Sequence, residues 1–176
     1  YSKEKSVRES NTLRLMSYNI RNGKGMDLVT NLQRIADVID KACPDVVAVQ
    51  EIDSVTKRSG GKDVLRDLAA LTLMHHVYAP AIDFGGGKYG IGVLSKEKPL
   101  SYRYYPLPGK EEARTLLVIE FEKYIYACTH LSLTEDSRMQ SLAKIKEVAA
   151  ASNKPFFLAG DLNAFPDSPF IKELEK

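Results

Sequence analysis

The sequence predicts an α/β fold in which two β-sheets pack together and each sheet is covered by helices. Three observations carry this prediction. The chain opens with a strand, an amphipathic helix and a buried strand, an order that is typical of α/β domains. Its middle holds consecutive strand-like segments, which favour antiparallel pairing. Its last third again places an amphipathic helix before a buried strand and a polar cluster.

The first three elements are defined by hydrophobic periodicity. Leu13–Ile20 alternates apolar and polar residues, which predicts a strand. Asp27–Cys43 carries apolar residues at helical spacing, and Pro44 predicts the end of that helix. Asp45–Gln50 has the apolar run of a strand buried on both faces, and Glu51 is predicted to close it.

The middle of the chain is predicted to be rich in strands. Residues 54–62 form a polar loop, Val64–Leu71 a helix and His76–Ala79 a short strand. The glycine-rich segment Asp83–Tyr89 predicts a turn or a mobile loop. Four consecutive strands are then predicted, at Ile91–Ser95, Ser101–Tyr105, Arg114–Phe121 and Tyr124–His130.

The last third is predicted to return to a helix and a buried strand. Thr134 is a suitable N-cap for a helix that reaches about Ala150. Phe156–Ala159 is predicted to be a buried strand, followed by a loop and the start of a helix at Phe170. The side chains expected on the inner face of the long helix are Met139, Leu142, Ile145 and Val148.

Composition limits the classes of function. The net charge of the 176 residues is +2, and affinity for nucleic acid through bulk charge requires many neutralised phosphates. A protein that holds nucleic acid by overall charge alone is therefore excluded, whereas a local basic cleft is not. Cys43 and Cys128 are too few for a disulfide framework and are predicted to be small buried side chains.

Residues 1–12 are mostly polar and are predicted to form a loose N-terminal arm before a single domain at residues 13–176. No apolar run approaches the roughly 18 residues of a membrane-spanning helix, so we expect no transmembrane segment. The chain starts at Tyr1 without a methionine or a signal peptide. We expect a secreted or periplasmic location if an export signal was removed, and a cytoplasmic location otherwise.

Polar residues follow the predicted strands at four places. Asn19 closes the first strand and Glu51 the second. His130 closes a later strand, and Asp161 and Asn163 follow the last one. Ligands of α/β sheets bind beyond the carboxyl ends of strands, so we expect these side chains to share a site.

These residue types suit a metal-dependent reaction at phosphorus. Glu51 and Asp161 offer the hard oxygen ligands that Mg²⁺ prefers. His130 can donate a hydrogen bond to a phosphate oxygen, and Arg114 can add positive charge. Each residue also has an ordinary structural explanation, as a turn former, a loop residue or a satisfied histidine. Their order along the chain, and not any single residue, indicates the function.

Six segments, in this order, carry a resemblance to a known family: Ser17–Gly23, Asp45–Asp53, Tyr89–Ser95, Glu112–Thr115, Thr129–Leu131 and Ala159–Pro169. The chain resembles the endonuclease/exonuclease/phosphatase superfamily, which includes deoxyribonuclease I, apurinic endonucleases, inositol polyphosphate 5-phosphatases and neutral sphingomyelinases. The resemblance covers about residues 13–170, and the Thr56–Gly60 loop is similar to the bacterial metal-dependent hydrolase branch.

The resemblance implies a four-layer α/β/β/α sandwich of the deoxyribonuclease I type and a divalent metal, Mg²⁺ or Mn²⁺. By matching motif, Asn19 and Glu51 would help to bind this metal. Asp161 would orient or deprotonate the attacking water, or contact the metal. The expected partner is a phosphate-ester substrate, which is a nucleic acid, a phospholipid or a small molecule.

The same resemblance implies a phosphate pocket. Asn163 would hold the scissile phosphate, His130 would contact one of its oxygens, and Arg114 would support the pocket. The loops expected to select the substrate are 58–62, 83–89 and 107–112. Among their basic residues, Arg58, Lys62 and Lys88 are candidates for contacts with substrate phosphates, although exposed basic side chains are usually only solvated.

The sequence departs from the family near its end. Family members continue with a further Asp and an Asp-His pair, and that final His normally completes the catalytic site. The histidines here are His75, His76 and His130, and the first two are predicted to be structural or surface groups. We therefore expect missing C-terminal strands, impaired hydrolysis and open sheet edges that favour self-association. The alternative is a catalytically silent module that binds phosphate ligands or a partner.

Overall fold

A computed structural model of the chain describes residues 12–176. The predicted N-terminal arm lies outside the described residues except for Thr12, and the division into an arm and one domain stays a prediction. The described part of the chain contains eight strands, β1 (Leu15–Asn19), β2 (Val46–Ser54), β3 (His75–Phe84), β4 (Gly87–Ser95), β5 (Ser101–Leu107), β6 (Arg114–Glu120), β7 (Ile125–His130) and β8 (Phe156–Asp161). It also contains four α-helices, α1 (Leu32–Ala42), α2 (Val64–Thr72), α3 (Glu135–Ala150) and α4 (Pro169–Leu174), and a 3-10 turn at Arg21–Gly23.

The strands form two four-stranded sheets. The first has the order β1-β2-β4-β3 and the second the order β5-β6-β7-β8. In each sheet one pair is parallel, β1 with β2 and β7 with β8, and the other pairs are antiparallel. The predicted antiparallel pairing of neighbours therefore holds within each sheet but not between β4 and β5, which belong to different sheets.

The two sheets face each other across an apolar core, and helices cover their outer faces. Val46 and Val93 of the first sheet meet Leu117 and Tyr126 of the second. The other face of the first sheet is buried by α1 and α2, and that of the second by α3 and α4. These four layers confirm the predicted α/β/β/α sandwich. Among residues 12–176, no helix is long and apolar enough to cross a membrane.

Both sheets end on the same side of the sandwich. β1 and β8 are the edge strands there and lie against each other. The Tyr126 hydroxyl donates a hydrogen bond of 2.7 Å to the Met16 carbonyl and so joins the sheets near this edge. The prediction that Phe156–Ala159 is fully buried is wrong, because β8 pairs on one side only within the described residues and leaves Phe157 exposed.

Helix α1 begins five residues later than predicted. The Asp27 carboxylate accepts a hydrogen bond from the Val29 amide, which forms a local turn, and Leu28 adopts a left-handed backbone and is exposed. The helix begins after Asn31, whose side chain accepts a hydrogen bond from the Arg34 amide at 3.2 Å. Polar side chains that bond to the backbone therefore override the apolar spacing.

Other differences are local. The glycine-rich segment 83–89 forms a tight hairpin between β3 and β4 and not a loose loop, so β3 is longer than predicted. Met139 is largely exposed, whereas Leu142 and Ile145 of the same helix are buried as predicted. Cys43 is only partly buried, contrary to expectation, while Cys128 is buried, and both thiols are free.

Candidate active site

The six predicted site residues converge at one end of the sandwich. Asn19 and Glu51 come from the first sheet, and the other four come from the second. Five of the six line one cleft of about 380 Å³, and Asn19 contacts two of them. The members of this site cleft are Glu51, Arg114, His130, Asp161 and Asn163, together with Arg58, Tyr89 and Glu112.

Glu51 does not close its strand as predicted, because β2 continues to Ser54. The pairing of β2 with β4 shifts between Val49 and Ile52, which marks a β-bulge, and Glu51 within it has a φ of +58°. A bulge re-aims a side chain, and a left-handed backbone at a non-glycine residue costs about 1–3 kcal/mol. The strand therefore carries local strain at the position that points its carboxylate toward the cleft.

Asn19 bridges the two carboxylates of the site. Its Nδ2 donates a hydrogen bond of 2.8 Å to Glu51 Oε1 and one of 3.2 Å to Asp161 Oδ2. Its Oδ1 accepts a hydrogen bond from the Arg21 amide at 3.1 Å, which fixes the orientation of the side chain. One amide thus holds a carboxylate from each sheet at a single point.

The charges around the site cleft fit a bound cation. Three carboxylates line it, those of Glu51, Glu112 and Asp161. The two arginines of the cleft are already paired, Arg58 with Asp53 and Arg114 with glutamates. The excess of negative charge would repel a phosphate unless a cation neutralised it.

The available ligands are oxygens. Glu51 and Asp161 would contribute carboxylates, and Asn19 would contribute Oδ1 after a rotation of its amide group, because Nδ2 faces the two carboxylates and Oδ1 faces the Arg21 amide. This donor set suits Mg²⁺ or Mn²⁺. Within residues 12–176 there is no cluster of three His, Cys, Asp or Glu side chains that could hold a metal ion. A metal at this site would therefore complete its coordination with water or substrate oxygens, as Mg²⁺ commonly does.

His130 and Asp161 face each other because β7 and β8 are parallel and in register at this pair. His130 Nε2 lies 3.8 Å from Asp161 Oδ2, and the histidine side chain is largely buried. Burial, and then the positive charge of Arg114, lower the pKa of His130 below its usual value. The imidazole is therefore neutral near pH 7 and can donate one hydrogen bond.

Asn163 is held by the backbone around it. Its Nδ2 donates a hydrogen bond of 2.8 Å to the Leu131 carbonyl, and its backbone amide donates one of 3.1 Å to Asp161 Oδ1. The residue has a φ of +47°, a left-handed conformation that asparagine tolerates better than most residues. A second Nδ2 hydrogen remains for a ligand.

Arg114 is the most buried cation of the site cleft. Its Nη2 donates a hydrogen bond of 2.7 Å to Glu111, its Nη1 lies 3.3 Å from Glu112, and its Nε is buried without a partner. Glu111 also accepts hydrogen bonds from Ser132 Oγ and the Leu133 amide. Burial raises the pKa of Glu111, but the hydrogen bonds from Arg114 and these other donors outweigh it and lower the pKa to about 2.

Sequence reasoning missed four residues that shape the site. Asp53 is buried and binds Arg58, and Glu111 and Glu112 surround the arginine of the phosphate pocket. Tyr89 lines the cleft, and burial, followed by the charge of nearby Glu51, raises its pKa well above the usual range. A usable signal existed, because Asp53, Tyr89 and Glu112 all lie within the segments that carry the family resemblance.

The remaining candidates lie elsewhere or are already paired. His75 and His76 are exposed at the end of β3 that pairs with Ser95 and Leu94, far along the sheet from the hairpin at Gly87. Lys88 forms an exposed ion pair with Asp83. Neither histidine is therefore near the site cleft, which agrees with their predicted surface role.

Comparisons with known proteins indicate the family and support the fold. The model of the Endonuclease/Exonuclease/phosphatase family matches residues 16–176. A comparison with curated proteins gave no match. Similar solved structures include an endonuclease/exonuclease/phosphatase from Beutenbergia cavernae, with a TM-score of 0.70 and 23% identity over 93% of this chain and 52% of that one.

Two further structures show the same fold. A mannosyl-6-phosphatase from Bacteroides thetaiotaomicron has a TM-score of 0.69 and 18% identity, over 93% of this chain and 70% of that one. The human Nocturnin catalytic domain has a TM-score of 0.66 and 16% identity, over 92% of this chain and 67% of that one. The chain thus spans about half of the Beutenbergia cavernae protein, 52%, and about two thirds of the other two.

Proposed function

Because the chain belongs to the endonuclease/exonuclease/phosphatase family, whose model matches residues 16–176, we propose that it hydrolyses phosphoester bonds with a divalent metal ion, Mg²⁺ or Mn²⁺. The family description itself names enzymes that act on phosphoester bonds. The observation that carries the proposal is the bridge at Asn19, which joins Glu51 and Asp161 from different sheets. Two acidic side chains held around one amide make a place where a cation is favoured.

In this proposal Glu51, Asn19 and Asp161 hold the metal. A bound divalent cation would neutralise the charge that develops on the phosphate and lower the pKa of a water molecule. Asp161, fixed by the amides of Asn19 and Asn163, is placed to orient the attacking water or accept its proton.

The remaining residues would bind the phosphate. Neutral His130 would donate a hydrogen bond to a phosphate oxygen, and the second Nδ2 hydrogen of Asn163 would do the same. Arg114 lines the same cleft, where its guanidinium would add positive charge beside the phosphate. Held in place by two glutamates, it would lose little freedom when the substrate binds.

The test measures hydrolysis of bis(p-nitrophenyl) phosphate and p-nitrophenyl phosphate with Mg²⁺, Mn²⁺ or EDTA. We expect metal-dependent release of nitrophenol that falls by about 100-fold or more in Glu51→Gln, because removing one of several cooperating groups abolishes most of the rate. Asp37→Asn, an exposed change on α1, is the matched control and should behave as wild type. Turnover that persists in EDTA, or that is equal in Glu51→Gln, would overturn the proposal.

A silent binding module is the second candidate. It is favoured by the position of the histidines, because within residues 12–176 only His130 lies at the site cleft. Saturable binding of Mg²⁺ and of inorganic phosphate without any turnover would support this candidate over the hydrolase. The substrate class, whether nucleic acid, phospholipid or small molecule, belongs to the same proposal and is decided by which ester is cleaved.

Self-association through the open edges also stays a proposal. The observation that favours it is that β1 and β8, the edge strands of the two sheets, lie side by side. Exposed edges offer unpaired backbone groups to another chain. Light scattering should detect a dimer as the concentration rises, and a strictly monomeric mass at high concentration would exclude it.

A further inference from the structure

A second cleft, which we call the basic groove, adjoins the site cleft. It has a volume of about 1150 Å³ and lies between the segment 21–32 and the loop 58–62 that precedes α2. Asn22 and Arg58 line both clefts, so the two lie side by side. A ligand that occupies the site cleft can therefore extend into the basic groove.

The two clefts have opposite electrostatic character. Exposed cations line the basic groove, Arg21, Lys24 and Lys62. Among the residues that the structure describes, none of the three has a carboxylate within ion-pair distance, and the groove offers only one unpaired acid, Asp67. Several cations elsewhere on the surface are paired, such as Lys154 with Glu120. The groove therefore carries positive charge that is not paired with carboxylates, beside a site cleft with an excess of negative charge.

Arg58 stands at the junction in a fixed position. Its Nε and Nη2 donate hydrogen bonds of 2.6 and 2.8 Å to the two oxygens of Asp53, which is buried. Its guanidinium lies 4.3 Å from the centre of the Phe84 ring and 5.4 Å from that of Tyr89. One edge of the guanidinium is thus bound to Asp53 and the group also contacts two aromatic rings, while Nη1 remains as a donor.

The loop that carries Arg58 is itself ordered. Buried Thr56 donates a hydrogen bond of 3.0 Å to Asp53 and accepts one from the Ser59 amide. The Lys57 amide donates a hydrogen bond to the Gly85 carbonyl, which ties the loop to the hairpin. A donor held this firmly loses little entropy when a ligand binds, which is the feature of a built site and not of a solvated arginine.

We propose that the basic groove is a second anion subsite, which binds a further phosphate group of the same substrate while the scissile phosphate occupies the site cleft. This inference rests on the proposed function and narrows its substrate class to phosphate esters with at least two phosphate groups. Arg58 Nη1 binds at the junction, and Lys24 and Lys62 bind the second phosphate farther out. A substrate with one phosphate leaves these cations unused.

The first test needs no turnover and uses inorganic pyrophosphate as the probe, without divalent metal. In ¹H-¹⁵N spectra of the whole chain, we expect titration to shift the backbone amides of Lys24, Gly60 and Gly61, which border the groove. The dissociation constant should rise by about tenfold or more in Lys24→Glu/Lys62→Glu, because each change removes a charged hydrogen-bond donor and adds a charge that repels the anion. It should also rise with added salt.

The matched control is Lys41→Glu/Lys123→Glu, which makes the same change in net charge at exposed lysines away from the groove. It should bind pyrophosphate as wild type does. Arg58→Lys, which keeps a cation beside buried Asp53, should weaken binding while the chain stays folded. Absence of shifts at the groove, or equal weakening in the control, would overturn the proposal.

A second arm separates sources of the second phosphate. The thymidine dinucleotide with and without a 5′-phosphate, and glucose 1,6-bisphosphate beside glucose 1-phosphate, are compared as competitors of pyrophosphate. Within at least one pair, the member with two phosphates should compete more strongly, and that pair identifies the source. Equal competition within both pairs would contradict the subsite. Metal-dependent cleavage of bis(p-nitrophenyl) phosphate by the wild type is measured separately, so a failure of the proposed function is distinguishable from a failure of the groove.

Discussion

The two sheets position their site residues in different ways. In the first sheet, Glu51 reaches the cleft from the middle of β2 through a bulge and a left-handed backbone. In the second sheet, His130 and Asp161 meet at the ends of two parallel strands that are in register. One side chain is positioned by an irregularity in its strand, and the other pair by the regularity of theirs.

The energetic cost of positioning these side chains falls on different residues in the two sheets. The first sheet holds strain at the functional residue itself, since a left-handed conformation is unfavourable for Glu51. The second sheet instead requires a close approach of two strands beside the functional pair. Gly160 has a φ of +146°, and a Cβ there would lie 1.9 Å from the Thr129 carbonyl oxygen. The first sheet thus has a strained backbone at a site residue, Glu51, whereas the second sheet requires a glycine next to a site residue, at position 160.

The largest expected effect is at Gly160. Gly160→Ala should lower the free energy of unfolding by about 3 kcal/mol, because the new methyl group meets the backbone of the neighbouring strand in a conformation that L-residues avoid. Urea unfolding followed by circular dichroism measures the change. Gly61→Ala is the control, because its φ is also positive but its Cβ would meet nothing within 4 Å, so the loss should be only about 1 kcal/mol. Equal losses would show that β7 and β8 are not packed so closely.

The second prediction concerns the strain in β2. Glu51→Gly should be more stable than Glu51→Ala by about 1 kcal/mol, because only glycine adopts the left-handed conformation without strain. Both variants lose the carboxylate, so their difference isolates the backbone from the charge. Thermal unfolding of the two proteins at one pH provides the measurement. An alanine variant as stable as the glycine variant would mean that the bulge stores no strain.

The smallest effect is at Glu111, which supports Arg114 in the second sheet. The pKa of Glu111 is lowered in the folded state from 4.5 to about 2, so its carboxylate stabilises the fold above pH 4.5 and loses that contribution as the pH falls toward 2. Glu111→Gln should therefore destabilise the protein at pH 6 by about 1 kcal/mol or less, since the pair is partly solvated.

The measurement for Glu111 is the difference in free energy of unfolding between wild type and variant at pH 6 and at pH 3. The difference should shrink at the lower pH, because at pH 3 the Glu111 carboxyl is protonated in the unfolded chain while it is still largely ionised in the folded one. A difference that is unchanged, or that grows on acidification, would contradict the lowered pKa.

The sequence predicted the position of the site residues in the second sheet more accurately than in the first. Period-2 alternation and buried runs located every strand of the described residues, and the order of motifs led to six of the residues that meet at the site. The bulge at Glu51 was not predictable, because the apolar pattern of β2 continues through Ile52 and carries no sign of the shift. The later start of α1 was not predicted either, because the side chains of Asp27 and Asn31 accept hydrogen bonds from backbone amides, which apolar spacing does not reveal.

The ion-pair partners of Arg58 and Arg114 could not be predicted from the sequence either. Arg58 resembles any exposed basic loop residue until Asp53, five positions earlier, is seen to accept hydrogen bonds from its Nε and Nη2. The pairing of Glu111 and Glu112 with Arg114 likewise becomes apparent only in the folded structure, where Arg114 is buried. Local patterns predict elements and strand ends, whereas pairings of charge depend on the packing of whole sheets.

The most direct test of the proposed cation site between the two sheets is calorimetric titration of Mn²⁺ into the wild type, Glu51→Gln and Asp161→Asn. We expect one saturable site in the wild type, and binding weakened by about 10-fold or more in each variant, because each loses one charged ligand. Asp37→Asn should bind as wild type does. Undiminished binding in both Glu51→Gln and Asp161→Asn would show that these carboxylates do not hold the cation.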